Sequence, residues 1–505
     1  MVKELMEHIK NQVEVRKNLI QLKEELKDFS NVYACKYELA EDAQLFLRLL
    51  CSEDAKIRKN TALVMGRLGE DSYLEPLYKA YEQETQLFVK SSYLTAIGEL
   101  NYMPLLEQLK ARLAILKMME TDAGSEKHIA EERRVLTQLI LSVEGIEKHA
   151  FTGWNQQNNL ILITNRNCAD ITKRQIEELA SDSGYKDTTV QTFTAGVMVK
   201  TKHLKEIQQL RTYRELLFAL EDVKTCTSDS ATAAKEIAAG SLLDFLDTRH
   251  QDSKGGTPQQ YYFRVEYKGK VDLAQKSTFT KKFAAQLEKC SGGRLMNSTS
   301  NYEVELRLIE NKAGRLNFLV KLYTLKDTRF AYRVNTVAAS IQPFAAALMM
   351  ELAQPYLRAE AKILDPFCGV GTMLIERHKF LRANTLYGID IYGDAIEKAR
   401  VNTEKAGVIA HYVNKDFFEF EHEYAFHEIV TNMPRVTGHK LENEIADIYK
   451  RFFVKAGEHL MSDGVIVLHS YEPELVRKYV KPNYHIVKEF ELSKKERSYL
   501  FIIRA

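Results

Sequence analysis

The sequence predicts a multidomain chain of α and α/β type, with an all-helical first third, two smaller α/β modules and a doubly wound parallel sheet at the end. Three observations predict it. Apolar residues recur at i, i+3, i+4 spacing up to residue 148; β-branched runs that enclose helices begin near residue 150; and strand and helix alternate regularly from about 341 onward. The chain has 505 residues, 45% of them hydrophobic, with 9 prolines, which is room for roughly three domains at about 150 residues each. Such a composition excludes a disordered tail or a fibre. Its 71 basic and 69 acidic residues leave +2, so a uniformly basic nucleic-acid coat is excluded and any such contact must be local.

In the first region, residues 1–148, a pattern repeats. Ile57, Val64, Met65, Gly66 and Leu68 recur 32 residues later as Val89, Ala96, Ile97, Gly98 and Leu100, with Arg58 matched by Lys90. Ile57-Arg58-Lys59-Asn60 also echoes Val15-Arg16-Lys17-Asn18. A helix pair cannot bury its apolar face without a neighbour, so a period of this size implies stacked pairs. The segment resembles HEAT-type repeats, which present a surface to a partner protein; a plain helical bundle is the alternative.

Residues 149–225 read as a split βαβ unit. Runs 160–164 and 190–201 are strands around a helix at 168–184, followed by a helix at 203–211 and a strand at 213–221. This order implies a ferredoxin-like domain. Residues 226–340 form a second α/β unit, with a helix at 233–249, a loop at 253–260, a strand at 261–269, a helix at 278–290 and strands at 302–310 and 316–325. Between 261 and 335 there are 15 Lys and Arg against 7 Asp and Glu, a local +8 in a chain whose remainder sums to −6. That is the footprint of a phosphate-backbone reader, although a solvated charged face leaves the same mark.

From 341 to 505 the alternation is clearest. Strands at 362–367, 386–391, 409–416, 428–434 and 464–470 are separated by helices, and 485–505 reads as an antiparallel hairpin on the sheet edge. The six cysteines, at 35, 51, 168, 226, 290 and 368, contain no CxxC pair and no nearby His, which argues against a zinc cage and for reduced thiols. No metal is expected. No apolar run reaches the roughly 18 residues of a spanning helix, so the expectation is a soluble, cytoplasmic protein with no membrane contact.

Chemistry is expected beyond the carboxyl ends of these strands. Asp365 to Thr372 reads DPFCGVGT, where Gly369 and Gly371 permit a tight turn and close approach of a ligand to the backbone. The loop lacks the third glycine of a dinucleotide fingerprint, and Asp365 would repel a pyrophosphate, which disfavours NAD. Asp390 ends the next strand, where a carboxylate can accept from ribose hydroxyls, and Asp416 ends the third, within reach of an adenine amino group. Each alone also reads as a turn or capping residue. In this order they favour an adenosyl ligand.

Asp365 to Thr372 with Asp390 and Asp416 downstream resembles the cofactor site of class I S-adenosyl-L-methionine-dependent methyltransferases. The resemblance implies a cofactor-binding set of Asp365, Pro366, Phe367, Cys368, Gly369, Gly371, Thr372, Asp390, Ile391, Asp416 and Phe417. Cys368 sits inside this loop, where a small residue serves geometry, so a nucleophilic thiolate is rejected. The fourth strand end, TNMPRVTG at 431–438, resembles the Asn/Asp-Pro-Pro-aromatic motif of amino-methyltransferases. It implies a catalytic set of Asn432, Met433, Pro434 and Arg435. A ring-conjugated amine is a poor nucleophile; hydrogen bonds from its N–H groups to the Asn432 oxygen and the Met433 carbonyl would aim its lone pair without a strong base. Pro434 stiffens the turn. Arg435 replaces the motif's aromatic, and its guanidinium plane can stack on a base or hold a phosphate. His439 and Lys440 follow as substrate-contact candidates, with exposed charge after a turn as the plainer reading, and Trp154 has no evident role.

Residues 150 to 505 together resemble the THUMP-domain RNA methyltransferases, on the strand-helix start at 161–173, RVEYKG (264–269), NSTSNYEVELRL (297–308), TRFAYRVN (328–335), IQPFAAALMMELA (341–353), DPFCGVGTMLIE and TNMP. The resemblance implies a ferredoxin-like domain, a THUMP RNA-binding domain and a seven-stranded Rossmann-like methyltransferase domain at 341–505. It also implies methylation of the guanine exocyclic amine, N2, in tRNA or 23S rRNA, with a structured RNA as partner. Alternatives are a protein glutamine methyltransferase and an RNA-binding scaffold with a decayed site.

Overall fold

The computed structural model describes residues 1–119, 124–146, 148–338, 340–436 and 442–505. His439 and Lys440, and the Thr437-Gly438 end of the fourth motif, lie outside them. The chain divides into two compact units, Met1–Glu147 with Ser298–Tyr302, and Lys148–Asn297 with Glu303–Ala505.

In the first unit the helices Val15–Glu25, Ala55–Leu68, Leu87–Ile97 and Glu126–Glu144 pack one after another in a row. The 32-residue repeat is visible in their contacts. A Cβ on Gly66 would lie 2.7 Å from Ala96 Cα, and one on its counterpart Gly98 would lie 2.7 Å from Leu139 Cδ2. Both glycines are therefore where one helix presses against the next. The matched cations are equivalent too. Arg58 donates to the Ser52 and Glu53 carbonyls just after helix Leu45–Leu50, and Lys90 to the Tyr81 carbonyl in the last turn of helix Leu74–Gln83. Each places positive charge at the negative end of the preceding helix.

The second unit holds two large sheets. In chain order its strands are β1 (Ala150–Phe151), β2 (Asn158–Ile163), β3 (Thr189–Phe193), β4 (Gly196–Thr201), β5 (Glu215–Phe218), β6 (Thr225–Cys226), β7 (His250–Gln251), β8 (Tyr261–Lys268), β9 (Leu295–Asn297), β10 (Val304–Glu310) and β11 (Leu316–Leu322). They continue as β12 (Lys362–Asp365), β13 (Thr385–Asp390), β14 (His411–Asn414), β15 (Phe426–Asn432), β16 (Leu460–Ser470), β17 (His485–Ser493) and β18 (Ser498–Arg504).

β1 and β7 form a small ribbon, and β2 to β6 join β8 to β11 in one nine-stranded sheet of order β3-β4-β2-β5-β11-β10-β8-β9, with β6 also paired to β11. The order β3-β4-β2-β5, all antiparallel, is that of a split βαβ unit. The two α/β modules read from the sequence thus share a sheet and a single apolar core from Leu160 to Leu322. A charge network crosses the seam: Arg264 pairs with Glu305 at 2.6 Å, Arg307 with Glu215 at 2.7 Å and Lys321 with Glu215 at 3.0 Å. Part of the basic excess is therefore spent internally, and the outward positive surface rests on exposed lysines such as Lys268, Lys270, Lys281, Lys282, Lys289 and Lys312.

Three local readings differ from the structure. The run 190–201 is a hairpin, β3 and β4, because Thr194-Ala195 turns ahead of Gly196, whose Cβ would lie 2.0 Å from the Leu162 carbonyl oxygen. The helix at 233–249 is two, Ser230–Ala238 and Leu242–Asp247, broken at Gly240. The helix before β9 begins at Leu273, where Asp272 caps it by accepting from the Gln275 amide at 2.8 Å.

The last sheet has order β14-β13-β12-β15-β16-β18-β17, parallel up to the antiparallel β18. Successive residues of β12 point to opposite faces, Ile363 into one core with Leu374, Leu386 and Val467, and Leu364 into the other with Ile389, Ile429 and Phe453. Both faces are covered. Strand order reverses between β12 and β15, which is where an open α/β sheet leaves a crevice.

Candidate functional site

Two strand ends flank that crevice, Asp365 on β12 and Asn432 on β15. After Asp365 the chain turns through the glycine loop into helix Thr372–Phe380. Gly369 has φ +51° with open space where a Cβ would be; Gly371 has φ +80° and a Cβ there would sit 2.3 Å from the Tyr412 hydroxyl. Neither position tolerates a side chain comfortably. The helix is held from behind. Arg377 and Glu428, both fully buried, pair at 2.7 Å, while Glu376 accepts from Arg211 at 2.7 Å and from the Tyr332 hydroxyl at 2.6 Å.

Asp365 is 1% exposed. Its Oδ1 accepts from the Phe367 amide at 3.1 Å and the Thr431 hydroxyl at 2.8 Å, and its buried Oδ2 has no partner among the described residues. Burial raises its pKa to about 7 against these hydrogen bonds, with the Asp390 charge adding to the rise. Thr372 Oγ1 in the same loop is likewise buried and unpartnered. A buried, under-satisfied carboxyl is a demand for positive charge close by. The sulfonium and ammonium of S-adenosylmethionine meet it, so the residues present fit that cofactor.

Asp390 is less buried, and each of its oxygens takes one backbone amide, Oδ1 from Tyr392 at 3.0 Å and Oδ2 from Gly369 at 2.9 Å. It braces the glycine loop, and each oxygen keeps a further lone pair able to accept a hydrogen bond. Ile391 and Tyr392 beside it are 53% and 58% exposed, an apolar rim on the sheet's end. Asp416 caps a short turn by accepting from the Phe418 amide at 2.9 Å. The Phe417 ring is buried against Phe367 and Phe452, so Phe417 has only its backbone to offer a ligand. Pro366 is buried and Phe367 half-buried. Cys368 is packed where a Gly388 Cβ would touch its sulfur at 3.0 Å, and burial, followed by the Asp365 and Asp390 charges, pushes its thiol well above the usual range. It is a packing residue, inert as a nucleophile.

At the other strand end, Asn432 lies opposite His469 in the β15–β16 register. Its side-chain oxygen accepts from His469 Nδ1 at 2.5 Å, so one of its two lone pairs is already engaged. The Met433 amide donates to the His469 carbonyl at 3.0 Å, and the Met433 side chain is buried. The Pro434 carbonyl accepts from the Tyr449 hydroxyl at 3.3 Å. The exposed Arg435 stacks its guanidinium over Tyr471, 4.8 Å from the ring centroid, and Tyr471 stands edge-on to His469. Thr431, Tyr449, His469, Tyr471 and Ser498 were missed by sequence reasoning. Only the place of His469 and Tyr471 at the end of the next parallel strand could have flagged them.

Among the described residues no helix is long and apolar enough to cross a membrane, and no cluster of metal-ligating side chains occurs.

Residues 331–494 match the family described as UPF0020: RMKL-like, methyltransferase domain. A stretch of 116 residues is 35% identical to the tRNA (guanine(10)-N2)-dimethyltransferase of Pyrococcus abyssi, covering 22% of this chain and 33% of that relative. The match thus spans about a third of the length of that curated protein. Among solved structures, TrmN from Thermus thermophilus is similar with TM-score 0.50 and 18% identity over 68% of this chain and 99% of that one. A predicted N6-adenine-specific DNA methylase from Listeria monocytogenes is similar with TM-score 0.50 and 18% identity, over 69% and 96%. At such identity these two speak for the fold alone. Residues 331–494 are thus similar to an RMKL-like methyltransferase domain, and the site at their strand ends fits S-adenosylmethionine as its cofactor.

Proposed function

We propose that this protein transfers a methyl group from S-adenosylmethionine to an exocyclic base amine of a structured RNA, guanine N2 of a tRNA being the leading candidate. The observation that carries the reading is the placement of Asp365 and Asn432 at the ends of two adjacent parallel strands that flank the switch point, the strands being tied together by the Thr431–Asp365 hydrogen bond. The bound cofactor supplies an electrophilic methyl group on a sulfonium. Asp365 and Asp390 would hold it with their negative charge, Gly369 and Gly371 would let it approach the backbone, and Ile391 would offer an apolar face to the adenine. Asp416 and the Phe417 backbone would serve the adenine edge. The second lone pair of the Asn432 oxygen and the Met433 carbonyl receive the target amine's hydrogens, and Pro434 fixes their spacing.

Two further features support RNA as substrate: the exposed lysines of the nine-stranded sheet's module, and the likeness over 116 residues to an enzyme named for guanine N2 of tRNA. Stacked on Tyr471, Arg435 gives a flat cationic surface in place of the motif's aromatic. The segment boundaries 1–148, 149–225, 226–340 and 341–505, the HEAT-like and THUMP assignments and a protein partner on the N-terminal helices belong to the same proposal, as does a cytoplasmic location.

The test is incubation with methyl-labelled S-adenosylmethionine and either total RNA or total protein. Label in N2-methylguanosine after digestion of the RNA supports the reading. Label in protein glutamine, or in neither pool while the cofactor binds, contradicts it.

A further inference from the structure

Behind Asn432 lies a buried chain that the reading above does not use: Asn432 Oδ1 to His469 Nδ1 at 2.5 Å, and His469 Nε2 to Ser498 Oγ at 2.7 Å. His469 is 1% exposed and Ser498 5%, so water does not settle their protons. A carboxamide oxygen only accepts, so Nδ1 must carry the hydrogen. The neutral ring then has a bare Nε2, which accepts the Ser498 hydroxyl. The opposite tautomer would need the amide flipped and would leave the Ser498 proton buried without an acceptor, since Ser498 Oγ has no other partner among the described residues. The ring stays neutral because burial, assisted by the charge of Arg435, lowers its pKa to about 3.

We propose that His469 is a positioning residue for methyl acceptance: its Nδ1–H, set by Ser498, locks the Asn432 carboxamide so that its second lone pair faces the incoming amine. The proposal rests on the reading of Asn432 as amine acceptor. Turning the amide over would set Asn432 Nδ2–H against Nδ1–H, donor on donor, so the wrong rotamer is excluded before substrate arrives. Preorganisation of this kind acts on turnover and leaves donor binding alone.

The test compares His469→Leu, which removes the donor, His469→Asn, whose Nδ2 can stand in for Nδ1, and Ser498→Ala. Each is assayed on unmodified tRNA transcripts for kcat and KM, and titrated with S-adenosylmethionine. His469→Leu is expected to lower kcat ten- to a hundredfold with donor affinity within twofold, His469→Asn to recover kcat to within about fivefold of wild type, and Ser498→Ala to fall between. Equal losses in His469→Leu and His469→Asn, or wild-type kcat in either His469→Leu or Ser498→Ala, overturn the proposal. Should His469→Leu not fold, imidazole 15N shifts of selectively labelled wild-type protein decide: Nδ1–H supports the lock and Nε2–H overturns it. Asn432→Ala separates the two levels. If it turns over normally the reading of Asn432 fails; if it is inactive while His469→Leu is not, only the lock fails.

Discussion

The Thr431 hydroxyl donates to Asp365 Oδ1 at 2.8 Å, joining the strand that carries the amine-binding motif to the strand that opens the cofactor loop. Its donor holds down the pKa of a carboxyl that burial drives up. Thr431→Val keeps the volume and removes the donor, so affinity for S-adenosylmethionine at pH 6.5 is expected to fall about tenfold, roughly one hydrogen bond to a charged group. Isothermal titration of the two proteins measures it, and equal affinities would count against Asp365 acting as a charged floor.

The same carboxyl fixes a pH dependence. Folding raises its pKa from 3.8 to about 7, so the free protein holds the proton more tightly than the unfolded chain does. The stability this contributes is therefore present at low pH and lost as pH rises through 7. A cationic ligand prefers the ionised form, so cofactor affinity should run the other way, weakening about tenfold per pH unit below 7 and levelling off above it. Titrations in buffers of different ionisation enthalpy should register about one proton released per cofactor bound near pH 5.5 to 6, falling to about half a proton at pH 7. No release at pH 6 would detach Asp365 from the site.

Arg377 and Glu428 form an ion pair with no exposure on either side chain, behind the helix that follows the glycine loop. Removing one partner strands the other, so Arg377→Met is expected to cost about 3–5 kcal/mol, while Arg377→Met with Glu428→Met recovers most of it. Urea unfolding of the two variants gives the comparison; a single variant within about 1 kcal/mol of wild type would mean that water reaches Glu428.

Much of this was open to reading in the chain. Strand-helix alternation placed Asp365, Asp390 and Asn432 at the ends of the first, second and fourth strands of the last sheet, on one side, because a parallel sheet sends every carboxyl end the same way. The 32-residue match of Gly66 with Gly98 marked true helix contacts, since only glycine permits the approach to Ala96 and Leu139. What failed was local or distant. The β3–β4 hairpin has neither Asn-Gly nor Pro, so its β-branched run looks continuous. The merging of two modules into one sheet depends on β5 meeting β11, about a hundred residues apart, and no periodicity encodes it. His469 reached Asn432 through strand register, and Ser498 reached His469 from a third strand, so neither contact has a sequence spacing to recognise.

The most direct trial of the account is single-turnover methyl transfer from labelled S-adenosylmethionine to an unmodified tRNA transcript, with cofactor affinity measured on the same preparations of wild type and Asn432→Ala. The expected result is transfer by the wild type, none by Asn432→Ala, and affinities within about twofold, as for a residue that acts on the acceptor alone. Equal transfer by both proteins, or a folded wild type that binds no cofactor at high micromolar concentration, would contradict it.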